Sequence, residues 1–257
     1  MKVFEIAKLI EKTAPKNLAY QWDNVGLLVG DRNKEIQSVY ITLDTNLTTV
    51  KEAVSLGADM IISHHPIMFS PINKIDYSTP QGLLIKELIT NDLPLYAAHT
   101  NMDTAKGGIN DVLGNKLGLF DICVLDMHTD DETAGLGRYG KIKPQKLSDF
   151  CETVKNALNT PIRCCGDDDM IISRVAVGSG ACSELVPIAK EKGCDVLVTA
   201  DMKYHQMIDA YEMGISVIDA GHYPTEVFVI DIFADILKDT DLEILKSTNS
   251  DIFKFRV

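Results

Sequence analysis

The chain has 257 residues, 46% hydrophobic and 24% charged, the balance of an ordinary globular protein with enough length for one large domain or two smaller ones. Its formal net charge of −12, from 37 acidic and 25 basic side chains, argues against general affinity for the phosphate backbone of nucleic acids. No stretch is long and apolar enough to span a bilayer. Six cysteines without Cys-x-x-Cys spacing suggest neither a zinc ribbon nor a disulfide framework, so a reducing cytoplasm is the expected compartment.

In chain order, Met1 to Glu11 spaces apolar residues helically among charges, which is not the uninterrupted core of a signal peptide. Val39 to Leu43 reads as a strand, Leu47 to Leu56 as a helix, and Met60-Ile-Ile62 as a buried parallel strand that ends on Ser63-His-His-Pro66. Pro66 removes a backbone donor and favours an extended residue before it, so a break is expected there that lets both imidazoles meet one site. One packed and one solvated histidine is the competing reading. Leu93 to His99 reads as the next strand, followed by Asp103 and by a helix entrance at Gly107-Gly108.

At an offset of 136 residues the chain matches itself: Gly57-Ala-Asp-Met-Ile-Ile-Ser63 aligns with Gly193-Cys-Asp-Val-Leu-Val-Thr199. The strand Val175 to Ser179 and the helix Leu185 to Glu191 precede the second copy, and Ser216 to His222 follows it. In both copies a carboxylate lies four residues after the final histidine, Asp103 after His99 and Glu226 after His222. The expected fold is therefore α/β, built as two related α/β halves with a di-metal site at the cleft between them. The first half is placed at 1–125, with 240–257 a candidate to complete it through the alternation Phe253, Phe255, Val257; the second is placed at 126–239. The polar segment from about Phe120 to Met170 is taken as irregular, holding the domain boundary in its first part. Arg138 to Ile142 is read as a short edge strand and Leu147 to Leu158 as a helix.

Ligands in open α/β sheets gather outside the carboxyl ends of the strands. His222 is expected on a strand-to-helix loop, and Glu226 one turn into the helix that Pro224 opens. His64, His65, Asp103, His222 and Glu226 make five N/O donors, more than one tetrahedral structural zinc uses and enough for two ions bridged by a carboxylate. Imidazole with carboxylate suits zinc, iron, nickel or manganese, so the element stays open. His99 is either a sixth ligand, a base held behind the others, or a packed histidine. Gly135-Leu-Gly-Arg-Tyr-Gly140 formally matches Gly-x-Gly-x-x-Gly, but no helix is expected after it and a turn is the preferred reading. Gly178-Ser-Gly180 falls one residue short of a nucleophile elbow and is read as a close turn lining the cleft. His128 and His205 are read as surface residues.

Together Trp22-Asp-Asn-Val-Gly-Leu-Leu-Val-Gly30, Ser63-His-His-Pro66, His99-Thr-Asn-Met-Asp103, Gly178-Ser-Gly180 and Gly221-His-Tyr-Pro-Thr-Glu226 resemble the NIF-three-like family, also labelled GTP cyclohydrolase 1 type 2 homologues, from about Lys2 to Val257. The resemblance implies a di-metal site on His64, His65, Asp103, His222 and Glu226 and a ring-shaped homohexamer. The linker is too short for the domain that longer members insert between the halves. It also implies a hydrolase that turns a metal-activated water on a purine nucleotide or related phosphorylated metabolite, with GTP the leading candidate and formate released. His99 would then shuttle a proton, and Lys74 or Arg138 would meet phosphate. The alternative is a non-catalytic metal-binding scaffold or regulatory adaptor with protein partners.

Overall fold

A computed structural model describes residues 1–127 and 131–254. The chain forms two compact units, Met1–Met102 with Val229–Ser250 making the first and Asp103–Phe228 the body of the second.

In the first unit, α1 (Val3–Thr13) buries Val3, Ile6 and Ile10 along one face. After β1 (Gly26–Val29), β2 (Ser38–Thr42) leads into α2 (Leu47–Ser55), whose start is capped by the Asn46 side chain accepting from the amides of Thr48 and Thr49. Next come β3 (Met60–Ser63), α3 (Pro80–Thr90), with Thr79 as cap and proline at its first position, and β4 (Leu95–Ala97). The short α4 (Thr100–Thr104) contains the boundary between the units, well before the polar segment where the sequence suggests it.

The second unit continues with α5 (Ile109–Lys116), β5 (Phe120–Asp126), β6 (Leu136–Lys146), α6 (Leu147–Leu158), β7 (Arg163–Cys165), β8 (Ile171–Val177), α7 (Leu185–Glu191), β9 (Val196–Thr199), α8 (Tyr204–Glu212), β10 (Ser216–Asp219) and α9 (His222–Glu226). The chain then returns to the first unit as α10 (Val229–Leu237) and β11 (Glu243–Lys246).

The first sheet has the order β1-β4-β3-β2-β11, parallel except for β1. Every residue of β2, β3 and β4 is buried, as covered parallel strands require. The second sheet runs β5-β6-β8-β9-β10-β7, with β8, β9 and β10 parallel and the rest antiparallel. Each unit carries the same small device at the repeated Gly-x-Asp. Gly57 and Gly193 take φ near +70°, ending a helix. The aspartate two residues on then accepts from two consecutive amides, at the start of β2 in one unit and within β8 in the other: Asp59 from Gln37 and Ser38 at 2.8 and 3.0 Å, and Asp195 from Ser173 and Arg174 at 2.7 and 2.9 Å. These partners are themselves 136 residues apart, so the repeat is visible in hydrogen bonds as well as letters.

Three expectations need correction. The segment taken as irregular supplies β5, β6 and β7 of the second sheet, and β6 is an interior strand of eleven residues rather than a short edge. It tolerates Pro144 because its register with β8 shifts between Lys141 and Gln145, where the ladder does not need the missing amide. The tail strand that pairs with β2 is Glu243–Lys246. Phe253 lies in no strand and is exposed, while Phe255 and Val257 lie outside the described residues.

Candidate metal centre

In the first unit, parallel pairing continues one step past β3. The amides of His64 and His65 donate to the carbonyls of Thr42 and Leu43, and the Ser63 hydroxyl donates to the His65 carbonyl. The two rings end 5.0 Å apart at 45°. His99, beyond β4, brings a third ring 5.1 Å from His64 and 5.5 Å from His65. Each of the three offers a nitrogen, and these nitrogens lie within 4.8 Å of one another.

Each Nδ1 has an oxygen partner, the Ala98 carbonyl for His64 at 2.9 Å, Asp44 for His65 at 2.7 Å and Asp23 for His99 at 3.0 Å. An Nδ1–H held by an oxygen fixes the tautomer and leaves Nε2 to act as ligand or base. Asp23 also accepts from the amide and hydroxyl of Thr100. Burial pushes the Asp23 carboxyl up, but the bonds from His99 and Thr100 outweigh it and hold it at about 2.

In the second unit, the turn after β8 meets both predicted carboxylates. The Ser179 hydroxyl donates to Asp103 at 3.2 Å, while Asn110 accepts from the Ser179 amide and donates to the Asp103 carbonyl. Gly180, at φ +63°, leaves room for Glu226: a Cβ there would come within 2.1 Å of its Oε1. Asp103 and Glu226 are buried and offer oxygens within 4.8 Å of each other. Burial, then the negative charges of Glu184, Asp103 and Glu226, push the nearby Cys182 thiol well up, so it stays protonated.

His222 is the first residue of α9 rather than part of a loop, because Gly221 at φ +80° makes the sharp entry and Pro224 suits the first turn. Its Nε2 lies 3.0 Å from Glu226 Oε2 across one helical turn, and its Nδ1 lies 2.7 Å from Asp201. Two donors bonded to one ion at about 2.1 Å also sit about 3 Å apart when their bonds meet at right angles. Three imidazoles in one unit, and an imidazole with two buried carboxylates in the other, are donors that suit a borderline divalent ion, so the residues fit a metal.

A family model described as Duf34/NIF3 (NGG1p interacting factor 3) matches residues 1–252. The chain belongs to the Duf34/NIF3 family. Among curated Duf34/NIF3 relatives, a GTP cyclohydrolase 1 type 2 homolog of Clostridium perfringens is 36% identical over 99% of this chain and all of its own length. Among solved structures, the Bacillus cereus protein related to NIF3 is similar with a TM-score of 0.92 at 28% identity, covering 100% of this chain and 99% of that one. Reduced HcgD from Methanocaldococcus jannaschii has a TM-score of 0.82 at 37% identity, covering 96% and 97%.

Several expectations fall differently in this Duf34/NIF3 chain. Arg138 does not face a ligand: it is 2% exposed, and its donors are taken by Asp111 and by the carbonyls of Thr104, Ala105, Gly135 and Gly137. The glycines around it serve close packing rather than a phosphate loop or a turn, since a Cβ on Gly135 would meet the Asp126 carbonyl at 2.3 Å and one on Gly137 the Val177 carbonyl at 2.8 Å. Lys74 is exposed; His205 is exposed as expected, and His128 lies outside the described residues.

Asp23, Asp44 and Asp201 escaped the sequence reading. A signal was there: Asp44 and Asp201 each lie two residues past a parallel strand and 21 residues before the histidine they hold.

Proposed function

We propose that the chain is a divalent-metal hydrolase of GTP cyclohydrolase 1 type 2-like activity, acting on a purine nucleotide or related phosphorylated metabolite, with GTP the first substrate to test. The observation that carries this reading is the triad His64, His65 and His99, three imidazoles with their Nδ1 atoms tied back and their donor nitrogens within 4.8 Å of one another. Their strand-end placement is where α/β proteins gather reactive groups. In this reading His64, His65, Asp103, His222 and Glu226 hold two ions of zinc, iron, manganese or nickel. The ions supply Lewis-acid activation of water at neutral pH.

The chain's own residues do the rest. Asp44 and Asp201 hold His65 and His222 in the tautomer that presents Nε2. His99, backed by the ionised Asp23, carries a proton to or from the group seated beside it, because a neighbouring carboxylate stabilises the imidazolium formed. Opening a guanine ring with loss of formate requires such proton movements to the departing nitrogens.

The name carried by the Clostridium perfringens relative supports the substrate class. A cytoplasmic location fits the six free cysteines, and no helix among the described residues is long and apolar enough to cross a membrane. A homohexamer completes the reading. The test is formate release from GTP by protein purified without a metal-binding tag, with each metal restored in turn. Metal-dependent formate lost on chelation supports the proposal. Bound metal without formate, on GTP or related nucleotides, replaces it with the metal-binding scaffold.

A further inference from the structure

Trp22 is the only tryptophan in the chain and is 59% exposed, an unusual place for a side chain whose stabilising value lies in burial. Tyr20 stacks on it at 5.9 Å and 15°, and Phe69, itself 53% exposed, leans against it at 6.3 Å and 39°. Both Trp22 and Phe69 meet His99 nearly edge-on, at 6.1 Å and 5.7 Å.

The position is held, not incidental. Asp23, next in the chain, is locked to His99 and Thr100, and the Tyr20 amide donates to the Thr100 hydroxyl at 3.1 Å. The Asn24 side chain donates to the Met68 carbonyl at 2.7 Å, tying the loop of Trp22 to the segment that carries Phe69. These bonds hold Trp22 and Phe69, each more than half exposed, beside the histidine triad.

We propose that Trp22 and Phe69 form a stacking subsite for a planar heteroaromatic ring of the substrate and seat that ring against His99. The inference rests on the reading of the histidine triad as the reaction centre and narrows the substrate class, excluding phosphoesters and amides that lack such a ring. Stacking suits this task because every nucleobase presents a π face, and removing one stacked partner lowers affinity about ten-fold or more.

The single tryptophan makes the test direct. The full-length protein is titrated with guanosine, GTP, ribose 5-phosphate and tripolyphosphate while its tryptophan emission, excited at 295 nm, is followed. Saturable quenching by guanosine and GTP but not by the two ring-free compounds is expected, with Phe69→Ala weakening guanosine about ten-fold. In the GTP assay Trp22→Leu should raise KM with little change in kcat, since ring binding is shared by ground and transition states. Absence of quenching by either nucleoside compound, equal quenching by tripolyphosphate, or an unchanged affinity in Phe69→Ala overturns the subsite. Quenching without turnover under any metal keeps the subsite and removes the hydrolase. Turnover with an unchanged KM in Trp22→Leu does the reverse.

Discussion

Asp44 accepts a hydrogen bond from Nδ1 of His65 at 2.7 Å, and it comes from the end of the parallel strand beside the one that carries the histidine. The second unit repeats the arrangement with Asp201 and His222, again at 2.7 Å and again from the neighbouring parallel strand. Two sheets that share a construction thus orient one imidazole each by the same means. Substituting the carboxylate by an amide keeps the shape and removes the charge that makes the histidine a strong donor. Asp44→Asn and Asp201→Asn are each expected to weaken metal binding about 10- to 100-fold, measured by competition with a chromophoric chelator, with thermal stability of the metal-free protein little changed. Unaltered affinity in both would show that these pairs do not tune the ligands.

Gly180 is placed to fail in a specific way. A methyl group there strains a backbone at φ +63° and occupies the space of Glu226 Oε1. Gly180→Ala is expected to cost about 1–2 kcal/mol from the left-handed conformation alone and to lower the bound metal per chain. Denaturant unfolding and metal analysis of the same sample check both parts. Loss of stability with full metal content would place Glu226 outside the ligand set.

Arg138 and Asp111 form a mostly buried ion pair joined at 2.8 and 3.0 Å, with the guanidinium also bridging four carbonyls. Removing the charge strands Asp111 and those carbonyls together. Arg138→Met is expected to destabilise by about 3–5 kcal/mol, read from urea unfolding. Arg138→Lys should recover part of this, since an ammonium replaces the charge but cannot span the same fork of acceptors.

Tyr40 gives the fold an alkaline signature. Its ring is fully buried and its hydroxyl donates to Glu52 at 2.7 Å. Burial, and the Glu52 carboxylate beside it, push the phenol from 10.0 up to about 12. The folded state therefore holds this proton more tightly than the unfolded chain. The stabilisation is complete below pH 10 and is lost as pH rises through 12. Absorbance at 295 nm should show a phenolate step near pH 12 that Tyr40→Phe removes, and the variant's stability should fall less steeply between pH 10 and 12. Equal slopes in parent and variant would contradict the assignment.

Much of this architecture is readable in the residues because apolar runs, helical spacing and the Gly-x-Asp repeat are local signals. Leu147 to Leu158 and Leu185 to Glu191 form helices over the expected ranges. The interior strand through Arg138 was harder to read, since a glycine-rich stretch suggests a turn until the carbonyls that exclude a Cβ are known. At the candidate centre the imidazoles announce themselves. The aspartates behind them do not, because a carboxylate two residues past a strand resembles any surface acid until the neighbouring strand brings a histidine to it. Arg138 misled for the same reason: a guanidinium in a glycine motif looks free to bind phosphate, and only the folded chain supplies Asp111 as its partner.

The most direct test of the account is the number of metal ions per chain in protein purified without a metal-binding tag, compared with His64→Ala and Glu226→Ala. The account predicts two ions in the parent and a clear loss in each variant. Full stoichiometry retained in both variants would contradict it.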